Sequence, residues 1–136
     1  MQGEVVHPLR HHVLIIDDNL DLVESLSCLL EYYGCRVEVA HDGREGLRKA
    51  IDGRPDVIFI DIAMPGMTGY DVARAIRSTL PYKVVLIAQT AYGSPDDRAL
   101  ALACGFDEHL IKQHLIKPAE PDCLIRRIAA ARSFHN

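Results

Sequence analysis

The chain has 136 residues, 49% apolar and 25% charged, which allows one compact domain with its own core and excludes disordered, collagen-like and low-complexity chains. Fifteen Lys and Arg against nineteen Asp and Glu give a net charge of -4, so nothing supplies the cationic face of a non-specific nucleic-acid binder, and no direct nucleic-acid contact is expected. The cysteines Cys28, Cys35, Cys104 and Cys123 fall in no metal-ligand spacing, no signal-like segment opens the chain, and no apolar run approaches the ~18 residues of a membrane span; a cytoplasmic protein without membrane contact is expected.

A polar lead-in over residues 1–11 carries His7 and His11 next to His12 and reads as linker without a metal site. Val13 to Ile16 is a short apolar strand that stops at Asp17-Asp18, and Asn19 can cap the helix that follows. Along that helix Leu22, Val23, Leu26, Leu29, Leu30 and Tyr33 recur at helical spacing, and Gly34 closes it. Val37 and Val39 alternate with Glu38 as a half-buried strand. Asp42-Gly43 turns the chain into a weaker helix from Arg44 to Ala50, with Asp52-Gly53 and Pro55 as breakers. Val57 to Ile60 repeats the first strand and again stops at a carboxylate, Asp61. After the loop of Pro65, Gly66 and Gly69, a third helix carries Val72, Ala73, Ile76 and Leu80. Val84 to Ala88 is an apolar strand ending at Thr90. Ser94-Pro95 opens a fourth helix that Gly105 ends. Leu110-Ile111 and Leu115-Ile116 offer strand material, and residues 122–132 carry a last helical face.

Strand and helix alternate five times, which predicts an α/β domain over residues 12–132, followed by a tail at 133–136. The first, third and fourth strands are continuously apolar and belong inside the sheet; the second and fifth belong at its edges. With right-handed crossovers this gives a doubly wound, five-stranded parallel sheet of order 2-1-3-4-5, helices on both faces. The ligand crevice of that order lies at the carboxyl ends of strands one and three, where Asp17, Asp18 and Asp61 fall.

A lone strand-ending carboxylate commonly marks the chain's return to water. Three in one crevice repel by roughly 3 kcal/mol per pair at ~5 Å and an effective dielectric of ~20, so protonation or a cation must compensate. An all-oxygen site suits Mg²⁺, with Mn²⁺ possible, and disfavours zinc. With the phosphoryl charge neutralised, a carboxylate can itself serve as nucleophile.

Together, VLIIDD at 13–18, VIFIDIAMPGMTG at 57–69, Thr90-Ala91 and Lys117-Pro118 resemble the receiver domain of two-component response regulators, over roughly residues 12 to 132. The resemblance implies Asp61 as phosphoacceptor, Mg²⁺ held by Asp17, Asp18, Asp61 and the Ala63 carbonyl, and Thr90 with a lysine sensing the phosphoryl group. It implies a histidine kinase or histidine phosphotransfer protein as donor, and a domain that assists its own phosphorylation and dephosphorylation. Its downstream protein would engage the fourth helix, fifth strand and fifth helix; a homodimer is possible. The last helix is followed by only a short tail, which fits a single-domain regulator or a receiver cut from a longer protein.

The chain departs from the family in one place. HLIK occurs at 109–112 and again at 114–117. Counting forward from Gly105 selects Lys112, whereas the following proline, which permits a cis bond at small cost, selects Lys117. Lys117 is preferred and Lys112 is the alternative. If the duplication displaces the lysine from the site, the domain becomes a phosphorylation-independent interaction module. His109 or His114 replaces an aromatic residue that the family often carries before the lysine, and reads as packed or solvated. Tyr92 stands near enough to Thr90 to shield the site.

Overall fold

A computed structural model describes residues 9–91, 93–112 and 121–131. In chain order the elements are β1 (His12–Ile16), α1 (Leu20–Tyr32), β2 (Arg36–Ala40), α2 (Gly43–Gly53), β3 (Val57–Asp61), α3 (Gly69–Thr79), β4 (Val85–Thr90), α4 (Pro95–Cys104), β5 (Glu108–Ile111) and, as the next described helix, α5 (Pro121–Ala130). The strands pair in parallel in the order β2-β1-β3-β4-β5. Burial follows the expected logic. Every residue of β1 and β3 is buried, whereas β2 alternates exposed and half-buried positions and β5 is half-buried throughout.

Period-two alternation divides the strand side chains between two cores. Leu14, Ile16, Ile58, Ile60, Leu86 and Ala88 pack with Ala50, Val72, Ile76 and Ala101 from α2, α3 and α4. On the other face Val13, Ile15, Val57, Phe59 and Ile87 meet Leu22, Leu26 and Leu30 of α1, and Ile125 and Ile128 of α5. At roughly 25 cal/mol per Å² of apolar surface, each fully buried Val, Leu, Ile or Phe among them contributes about 1.5–3 kcal/mol. Pairing and packing on both faces thus set where the strand ends stand relative to one another.

Local chemistry sets the element boundaries. Asn19, Asp42, Thr68 and Ser94 each cap a helix by accepting a backbone N–H, and Thr68 with Asp71 forms a reciprocal capping box. The second helix is longer than expected, running on through Asp52-Gly53. It ends at Arg54, which turns left-handed (φ 50°), because Pro55 bars the α conformation from the residue before it. The first strand starts at His12, one residue early. The lead-in is already docked from Leu9, whose N–H donates to the Tyr33 carbonyl at 2.9 Å. His11 and His12 are both buried.

Candidate functional site

Asp61 is the last residue of β3 and Asp17 follows β1; both are buried, and Asp18 beside them is exposed. One carboxylate oxygen from each lies within 4.8 Å of the others, the one such group of potential metal ligands among the described residues. Backbone donors orient two of them: the Asn19 N–H donates to Asp17 Oδ1 at 2.8 Å, and the Ala63 N–H to Asp61 Oδ1 at 3.0 Å. Gly69 lets α3 start hard against this strand end, since a Cβ there would sit 2.5 Å from the Asp61 carbonyl oxygen.

The electrostatics are those of an under-compensated cluster. Burial pushes the Asp17 carboxyl up to about 6 and the Asp61 charge adds to the shift, while the Asn19 N–H bond and the Lys112 ammonium oppose it. Asp17 Oδ2 has no hydrogen-bond partner. Lys112 Nζ stands 3.1 Å from Asp61 Oδ2 and 3.5 Å from Asp17 Oδ2, among the described residues one cation against three acidic groups. Hard oxygen donors, a buried carboxylate oxygen short of a hydrogen bond and, among the described residues, no nitrogen or sulfur ligand fit Mg²⁺ or Mn²⁺.

Among the described residues the lysine at these carboxylates is Lys112, where the Lys-Pro argument prefers Lys117. The cause is register. The first HLIK copy supplies β5, with Ala88 opposite His109, Gln89 opposite Leu110 and Thr90 opposite Ile111; the next residue, Lys112, thus emerges at the carboxyl end of the sheet. Lys117, Pro118, His114 and Tyr92 lie outside the described residues. Thr90 ends β4 one step beyond Gln89, and Gln89 pairs with Asp61, so the hydroxyl-bearing residue borders the site.

Two features escape the sequence reading. Gln89 is fully buried at the register level of Asp61, with neither end of its amide hydrogen-bonded; the signal was a polar residue between Ala88 and Thr90 in an otherwise apolar strand. Asp107 and Arg77 join the start of β5 to α3, which no local motif announces. His109 is packed: neither ring nitrogen has a hydrogen-bond partner. Burial, helped by Arg98 and opposed by Asp97, holds its pKa below the usual histidine value.

A doubly wound parallel sheet with clustered carboxylates and a lysine at its switch point defines an α/β domain with an acidic crevice. Residues 13–129 match the family model of the response regulator receiver domain, and the chain belongs to that family. It is 38% identical over 117 residues to the transcriptional regulatory protein PrrA of Mycobacterium tuberculosis, covering 85% of this chain and 50% of that protein. Over 122 residues it is 32% identical to the DNA-binding response regulator MtrA of Mycolicibacterium paratuberculosis, covering 90% and 51%. The chain spans about half the length of these curated relatives. Among solved structures it resembles the chemotaxis protein CheY4 of Vibrio cholerae, with a TM-score of 0.78 and 33% identity over 90% of this chain and 98% of that one. The response regulator domain of Thermotoga maritima CheB gives 0.78 and 26%, over 89% and 95%. Among the described residues no helix is long and apolar enough to cross a membrane.

Proposed function

We propose that the domain is a phosphoryl-accepting switch in which Asp61 takes a phosphoryl group from a histidine kinase or a histidine phosphotransfer protein. The N–P bond of the donor phosphohistidine breaks as an Asp61 Oδ–P bond forms, and the electron pair returns to the donor imidazole, which takes up a proton. Asp17, Asp18, Asp61 and the Ala63 carbonyl would hold Mg²⁺, which supplies charge neutralisation at the phosphoryl oxygens.

The chain's own residues do the rest. The Ala63 N–H fixes the orientation of the Asp61 carboxylate, and the Lys112 ammonium offsets the charge that accumulates on it. The Thr90 hydroxyl donates to a phosphoryl oxygen, and water attack on the aspartyl phosphate in this same frame returns the domain to rest. The added charge draws Thr90 and Lys112 into a new arrangement that alters the face formed by α4, β5 and α5. Leu102 of α4, exposed beside Arg98 and Ala99, offers an apolar footing there for a downstream protein or a second copy. PrrA and MtrA are by name transcriptional and DNA-binding regulators; for this chain the output runs through whatever engages that face.

The observation that carries this reading is the 3.1 Å approach of Lys112 Nζ to Asp61 Oδ2 beside two further carboxylates. It also counts against a phosphorylation-independent module, which required the duplication to displace the lysine. Incubation with acetyl phosphate and Mg²⁺ is expected to add one phosphoryl group by intact mass, with loss of labelling on chelation or in Asp61→Asn. Labelling that persists in Asp61→Asn would overturn the assignment.

A further inference from the structure

The duplicated HLIK poses a selection problem that strand pairing cannot solve. An ordinary slip in register is penalised because it changes which side chains meet the core. Here a slide of five residues returns His to His, Leu to Leu, Ile to Ile and Lys to Lys. What selects one copy must therefore lie outside the repeat.

Immediately before it stands Asp107. Its N–H donates to the Leu86 carbonyl at 2.8 Å, and its Oδ2 accepts from the Leu86 N–H at 2.9 Å and from Arg77 Nη2 at 2.8 Å. Arg77, in the last turn of α3, also donates to the Gly105 carbonyl through Nε at 2.9 Å and Nη2 at 2.7 Å, and to the Val84 carbonyl through Nη1 at 2.6 Å. Lys83 Nζ lies 3.5 Å from Asp107 Oδ1. One guanidinium thus ties α3, the start of β4 and the α4–β5 connection together, and the carboxylate pins residue 107 opposite Leu86. In the register displaced by five, Lys112 would occupy the place of Asp107, and Gln113 that of Glu108. An ammonium would face Arg77 and Lys83, the Leu86 N–H would lose its side-chain acceptor, and the 3.6 Å pair between Glu108 and Arg127 would be lost.

We propose that Arg77 and Asp107 are positioning residues that select Lys112 over Lys117 as the lysine of the phosphoacceptor site. The proposal rests on the reading of Asp61 given above. Neither residue touches the reacting atoms. They act by fixing which copy of HLIK forms β5, and the charge of Lys112 reinforces the choice by being attractive at Asp61 and repulsive at Arg77.

The test uses the full chain with acetyl phosphate and Mg²⁺, comparing Lys112→Ala with Lys117→Ala in three backgrounds: unaltered, Asp107→Ala and Arg77→Glu. In the unaltered chain Lys112→Ala is expected to slow labelling at least about tenfold and Lys117→Ala less than about twofold. Arg77→Glu turns the repulsion of the displaced register into attraction, so there the loss on Lys117→Ala is expected to equal or exceed that on Lys112→Ala. Asp107→Ala is the milder release and should shift the ratio in the same direction. Circular dichroism verifies that each background is folded.

Amide hydrogen exchange reads the register without any phosphorylation. Protection is expected at Ile111 in the unaltered chain and at Ile116 in Arg77→Glu. Labelling that depends on Lys112 in every background, with protection staying at Ile111, overturns the proposal. Protection that moves to Ile116 in a chain that never labels upholds the clamp and overturns the phosphoacceptor reading. Absence of both labelling and movement sinks the two together.

Discussion

At the amino ends of the strands, His12 places Nδ1 3.1 Å from the Gly53 carbonyl and Nε2 3.0 Å from Glu38, while its backbone N–H donates to the buried Asp56 at 2.8 Å. The Tyr82 hydroxyl donates to the Pro55 carbonyl at 2.9 Å, and the Arg54 guanidinium lies 4.7 Å from the centre of the Tyr82 ring. At the carboxyl ends, Asp17, Asp18 and Asp61 crowd within 4.8 Å with Lys112 against two of them, and Asp17 Oδ2 accepts nothing. Both ends bury ionisable side chains, so burial does not distinguish structure from function here. Satisfaction does. The amino end matches donors to acceptors and holds the fold together, whereas the carboxyl end stores an excess of like charge, the feature on which the proposed switch rests.

The contrast predicts opposite signs for two carboxylate substitutions. Asp56→Ala removes the acceptor of a buried backbone N–H, so it should lower the unfolding free energy by about 1–3 kcal/mol in urea titration. Labelling of Asp61 should continue, because Asp56 lies at the far end of the sheet. Asp17→Asn should instead stabilise. Two carboxylates ~5 Å apart at an effective dielectric of ~20 repel by roughly 3 kcal/mol, Lys112 offsets part of this, and the Asn side chain can still accept from the Asn19 N–H. A gain of about 1 kcal/mol is expected, together with weaker Mg²⁺-dependent labelling. A destabilised Asp17→Asn would erase the distinction between the two ends.

The platform was legible in the sequence and the last strand was not. Continuous apolar runs at 13–16, 57–60 and 84–88 were enough to place β1, β3 and β4 inside the sheet, because a strand covered on both faces has no polar side to present. The same reasoning put Asp17, Asp18 and Asp61 at one switch point. For β5 the local signals were degenerate. HLIK reads identically at both positions, and the proline after Lys117 is the one local feature that separates them. Beside that strand stands the register clamp proposed above, an Arg77–Asp107 contact between residues 30 apart in sequence, which neither periodicity nor turn chemistry encodes. His11 and His12 carry no local signal of structure for a related reason. Their partners, Ala131, Gly53 and Glu38, come from elements distant in the chain.

The smallest effect concerns the two histidines that most sharply express the contrast. The ring nitrogens of His12 are both partnered; those of His109 are not. Burial, with Arg98 adding to it and Asp97 opposing, keeps the folded-state pKa of His109 below the ordinary 6.5. In the unfolded chain the imidazole titrates near that ordinary value. Above it both states leave the ring neutral and the stability is fully present. As pH falls below it the unfolded chain binds a proton that the folded one does not, so stability declines until the folded-state pKa is passed. His109→Phe removes this linkage while keeping an apolar ring in the strand. The fall in thermal midpoint between pH 7.5 and pH 5 should therefore be shallower in His109→Phe than in the unaltered chain, measured in the same buffers. Parallel curves would mean that His109 protonates as readily folded as unfolded, and the unpartnered ring would then belong with the satisfied polar groups of the opposite end.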